Sequence, residues 1–170
     1  MSHLITHKTN IIHTEAIFSD CEKYRYSLSR KVEGKPGKVT YIMFNPNMRD
    51  DIQLGITSNY CFNYTMKLGF GEMEIVNLFA LRTKSIRDLK NMVKMRRDPI
   101  GVENDQYIKR SIEKANMVIV ARGSSGGYLK REKTVLDIIK DSNLYCFGKT
   151  KVKKPIYPRR SMETDLKPYL

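Results

Sequence analysis

Four short apolar, β-prone stretches constrain this chain most: VTYIMF (39–44), MEIVNLFA (73–80), NMVIVA (116–121) and LYCFG (144–148). Each is separated from the next by a segment long enough to hold a helix. Strands spaced in this way need crossover connections, which implies parallel neighbours with helices packed on the sheet. The expected fold is α/β, a three-layer α/β/α sandwich with a mostly parallel central sheet. At 170 residues the chain is expected to form a single domain over 1–170, with 1–20 as a peripheral N-terminal segment. YRYSLSR (24–30) alternates as an edge strand would. Thr57 or Ser58 is placed to cap a helix that stops at Gly69, and Ser85 to begin a second. Further helices are expected over 105–115 and 128–140.

The three cysteines, Cys21, Cys61 and Cys146, are odd in number and lack CxxC spacing, which argues against a disulfide framework or a zinc site. No apolar run reaches the length of a membrane span, and the first residues lack a signal-peptide core. A cytoplasmic protein with neither metal nor cofactor is expected. Its formal charge of +13 makes nucleic acid the first partner to consider. The positive charge gathers in KMRRD (94–98), in RGSSGGYLKREK (122–133) and in GKTKVKKPIYPRR (148–160), where Lys149, Lys151, Arg159 and Arg160 are candidate DNA contacts.

In open α/β sheets, ligands bind beyond the carboxyl ends of the strands. The segments leaving the four apolar strands are NPNMRDD, NLFALR, RGSSGG and GKTKVKK. Asn45 precedes Pro46, which biases it to an extended backbone and frees its side chain to position a water. Asp50 and Asp51 can do the same, act as base, or stabilise a positive sugar in an oxocarbenium-like transition state; equally they can be a solvated turn or helix cap. Asn77, an amide within IVNLF, needs a specific partner. Its carbonyl and NH2 match the N3–H and O4 edge of uracil, or they tie two loops together. Gly123, Ser124 and Ser125 suit a single DNA phosphate better than a triphosphate, because neither a GK[ST] nor a GxGxxG pattern is present, or they form an ordinary flexible loop. His3, His7 and His13 all lie in the N-terminal segment, which excludes a Ser-His-Asp triad at the strand edge.

The order FNPN, VNLFALR, VIVARGSS and YPRRSM resembles the uracil-DNA glycosylase superfamily. More closely, NPNMRD, NLFALR, PIGVEND and YP, spread over 24–158, resemble a small glycosylase family carried on bacterial mobile elements and long catalogued as a domain of unknown function of the DUF1643 type. That resemblance implies that Asn45 and its loop place the hydrolytic water and that Asn77 reads a flipped uracil. It also implies that Gly123, Ser124 and Ser125 hold a phosphate, and that the loop of Tyr157, Arg159, Arg160 and Ser161 enters the helix. Phe62 and Tyr60 are the candidates to stack on the base. Tyr157 stands where many relatives carry His and supplies no comparable cation at neutral pH, so neutral donors, backbone N–H groups and positive surroundings would have to stabilise the uracil anion. The implied activity is monofunctional hydrolysis of deoxyuridine in DNA by a monomer, with a proteinaceous glycosylase inhibitor as a candidate partner. The alternative is a non-enzymatic accessory protein of the same fold that binds single-stranded DNA. Hydrolysis of free nucleotides is disfavoured by the charge and by the lack of a triphosphate loop.

Overall fold

The computed structural model describes residues 6–49, 52–158 and 165–169. VTYIMF falls on a strand, β3 (Lys38–Met43), that is buried at every position, as a continuous apolar run requires. Its side chains alternate between two cores. Tyr41 and Met43 pack with Cys61, Phe62 and Tyr64 of α1 (Ile56–Lys67). Ile42 faces the other way, towards Leu89 of α2 (Ile86–Lys94), Ile108 and Ile112 of α3 (Asn104–Glu113), and Val135 of α4 (Arg131–Ile138). The chain is thus a mixed α/β fold with helices against both faces of its sheet.

The remaining strands are β1 (Ile12–Phe18), β2 (Arg25–Val32), β4 (Glu72–Asn77), β5 (Met117–Val120), β6 (Leu144–Cys146) and β7 (Lys167–Pro168). They join β3 in one seven-stranded sheet of order β1-β2-β4-β3-β5-β6-β7. The sheet is mixed, not mostly parallel as expected. β3–β4, β3–β5 and β5–β6 pair in parallel, whereas β1–β2, β2–β4 and β6–β7 are antiparallel. The spacing rule held for the strands it counted. It could not see β1, which forms the sheet edge from within the segment expected to be peripheral and which moves β2 to an interior position.

Other boundaries differ for local reasons. The first helix begins at Ile56 after Gly55 and takes no side-chain cap from Thr57 or Ser58. It ends as expected, with Gly69 in the left-handed region at φ 85°. The helix expected over 128–140 is broken: a 3-10 segment, Ser124–Lys130, kinks at Tyr128 and Leu129 before α4 starts. Ser85 is the N-cap of α2, its side chain accepting from the Asp88 N–H at 3.1 Å. Ser85→Ala is expected to cost about 1 kcal/mol of unfolding free energy in urea titration, since one orphan donor loses its acceptor.

No helix among the described residues is long and apolar enough to cross a membrane.

Candidate functional site

Because β3, β4, β5 and β6 run parallel, their carboxyl ends share one edge of the sheet. Ladder contacts continue past the strands there, with Phe79 N–H donating to Phe44 O and Ala121 N–H to Ile42 O. A cavity of about 400 Å³ opens at this edge. Asn45, Gly123, Ser124, Ser125 and Tyr157, all expected site residues, line it. So do Thr83, Lys84 and Arg122, which sequence reasoning did not single out, and Ser85, which it expected only as a helix start. The only available signal was position, since Arg122 directly follows the apolar run 116–121 and Thr83 closes ALRT after β4.

The hydrogen bonds around Asn45 dictate its orientation. Thr83 Oγ1 donates its one hydrogen to Ser85 O at 2.9 Å, so a second group approaching that oxygen must be a donor. Asn45 Nδ2 is that donor at 2.9 Å, and it also donates to Pro46 O at 3.1 Å. Both amide hydrogens are therefore committed within the loop. The carbonyl oxygen Oδ1 remains as an acceptor at the cavity wall. It can hold a water by one hydrogen while leaving the water's lone pairs free.

Asn77 is placed differently. Its register with Met43 puts it at the same end of the sheet as Asn45. Alternation along β4 gives it the face of Met73 and Ile75, whose side chains pack with α1. It is only 2% exposed, it does not line the cavity, and its Nδ2 has no hydrogen-bond partner among the described residues. The stacking candidates also lie off the cavity. Tyr60 stacks on Tyr64 and meets Phe147 edge-on, while the Phe62 ring sits under Arg30. Lys149 and Lys151 are exposed outside the cavity lining. Asp50, Asp51, Arg159, Arg160 and Ser161 lie outside the described residues.

Arginines, buried at 25, 122 and 131 and half-buried at 82, hold this edge together. Arg25 Nη1 donates to Arg49 O and Arg82 Nη2 to Met48 O, which ties down the loop after Asn45. Arg122, its side chain 1% exposed, pairs with Glu132 and donates to the Tyr169 hydroxyl. Burial pushes its guanidinium below the ordinary arginine value, and Tyr169 and Glu132 oppose that shift. Lys154 Nζ reaches the other Glu132 oxygen at 2.9 Å. The PIGVEND segment is architectural: Asn104 Nδ2 donates to Asn77 O and Leu78 O, and Asp105 pairs with Arg131, which also donates to Leu78 O. These contacts fix the chain as it leaves β4.

Among the described residues lining the cavity none is acidic, whereas Lys84 and Arg122 are both basic. The lining offers amides, hydroxyls and cations, a set suited to anions and poor for a divalent metal. Among the described residues no group of three His, Cys, Asp or Glu side chains is placed to hold a metal ion.

The sequence profile of the family described as "Protein of unknown function (DUF1643)" matches residues 25–159. The chain belongs to that family. Comparison with curated proteins and with solved structures finds no match.

Proposed function

We propose that the chain is a uracil-DNA glycosylase of the uracil-DNA glycosylase superfamily, a three-layer α/β/α enzyme of a mobile element that acts in the cytoplasm. The observation that carries the reading is Asn45. Both of its amide hydrogens are committed to Thr83 and Pro46, which leaves the carbonyl oxygen as its acceptor, and among the described residues lining the same cavity are two cations and no acid.

In this reading a deoxyuridine leaves the stack, and its phosphate rests against Gly123, Ser124 and Ser125. The C1′–N1 bond lengthens and the sugar gains positive character. Uracil departs with the bonding electron pair. The water held by Asn45 Oδ1 then bonds to C1′ and releases its proton to solvent. An amide oxygen is too weak a base to deprotonate water, so Asn45 positions it instead. Lys84 and backbone N–H groups supply the positive field that favours the uracil anion, with Arg122 held beside them by Glu132. Neither metal, cofactor nor lysine nucleophile is needed. Asn77 Nδ2 is sealed from solvent, so it reads the base only after the side chains covering it move.

The test is a panel of oligonucleotides carrying uracil or other altered pyrimidines, in single and double strands. Release of uracil is expected from wild type. Asn77→Ala is expected to lose release while retaining DNA affinity. Salt-sensitive binding with no abasic product from any substrate would instead assign the chain as a non-enzymatic DNA-binding protein.

A further inference from the structure

Beyond β6 the chain forms a small hairpin closed by a bridge between Lys149 and Pro155. Thr150 N–H donates to Lys154 O, and Lys153 N–H donates back to Thr150 O, so Lys151 and Val152 occupy the apex of a tight turn. Thr150 Oγ1 also accepts from the Lys154 N–H. Val152 is 70% exposed. Turns favour Gly, Asn, Asp or Ser at such positions, so a β-branched apolar side chain is out of type there.

Three features give the apex its context. First, it is flanked by Lys151 and Lys153, both exposed, and no acid occurs within 142–158. Second, the hairpin is braced: Lys154 shares Glu132 with Arg122, a cavity residue, and the Lys149 ammonium lies 5.4 Å from the Tyr169 ring centre. Third, it leaves the sheet at the carboxyl end that carries the cavity, and Tyr157, two residues past the closing proline, lines that cavity.

We infer that the Lys149–Pro155 hairpin is a DNA-separating element, with Val152 inserting between base steps of a duplex while Lys151 and Lys153 hold the flanking phosphates. Apolar wedges between cations act in this way, because unstacking is offset by the contacts that a distorted duplex permits. The inference rests on the DNA-directed part of the proposed function, but not on base excision.

The experiment uses a uracil-containing duplex with 2-aminopurine beside the uracil, and the full chain carrying Asn45→Ala, read at once on mixing so that the slowed excision does not contribute. Fluorescence should rise on binding, and adding Val152→Ala should cut that rise by about fivefold or more. Affinity for the corresponding single strand should stay within about twofold, which also shows that the variant is folded. Val152→Leu should retain the rise. Lys151→Ala and Lys153→Ala should each lower the salt slope of duplex binding by about one. An undiminished rise in Val152→Ala, or equal losses on single strands and duplex, overturns the inference. Val152-dependent unstacking by a wild-type chain that releases no base would remove the glycosylase reading and leave this one standing.

Discussion

Asn45→Ala is expected to slow base release by about 10²-fold or more while leaving DNA affinity unchanged. The reason lies in the committed hydrogens of the amide. Thr83 Oγ1 and Pro46 O take both N–H groups, so the side chain offers the cavity an acceptor and no donor. Removing it takes away the group that holds the water and leaves the cations that attract DNA. Thr83→Val tests the mechanism more finely. Valine keeps the shape but removes the oxygen that dictates which way the amide points. The expected loss is about tenfold in kcat, and the double variant should be no slower than Asn45→Ala alone, because the two residues act as a unit. Independent, additive losses would mean that Thr83 acts on the substrate directly.

The largest expected effect on stability is at Glu132. Its carboxylate neutralises Arg122, whose side chain is 1% exposed, and also receives Lys154 and the Tyr169 hydroxyl. Glu132→Ala leaves a buried guanidinium beside a lysine with no counterion, which typically costs about 3–5 kcal/mol. For a chain of this size that corresponds to roughly 10 °C in Tm. Glu132→Gln keeps an acceptor for Arg122 and should lose less. The exposed pair of Lys109 and Glu113, 4.0 Å apart, is the control, and Lys109→Ala should change stability by no more than about 0.5 kcal/mol. A Glu132→Ala protein melting within a degree or two of wild type would show that Arg122 is solvated in solution.

The elements legible in the sequence were those whose burial is two-sided or whose ends carry special backbone chemistry. β3, β4 and β5 read clearly because long apolar runs fit buried strands, while Gly69 and Ser85 mark helix ends by a positive φ and a side-chain cap. β1 was not legible: IHTEAIF is exposed or half-buried throughout and pairs through its backbone, which leaves no apolar pattern. β7 spans only two residues. The break before α4 depends on left-handed conformations at Leu129 and Lys130, residue types that do not announce them.

The candidate site was legible as a set of strand ends and much less so as a set of atoms. Asn45, Gly123, Ser124, Ser125 and Tyr157 meet because parallel pairing brings their strand ends together. Tyr60 and Phe62 illustrate the limit, since an aromatic side chain suits a packed cluster as well as it suits a nucleobase. Thr83 was missed because its importance is relational: its hydroxyl matters through a bond to a residue 38 positions away. The same holds for Asn104, whose amide bonds to Asn77 O and Leu78 O across the core.

The most direct measurement is the mass of a uracil-containing oligonucleotide after incubation with the purified chain in ¹⁸O-enriched water, read at once by mass spectrometry. The strand should lose uracil, gain a hydroxyl carrying the heavy oxygen and remain unbroken. An oligonucleotide that is fully bound yet recovered at its starting mass would contradict the account.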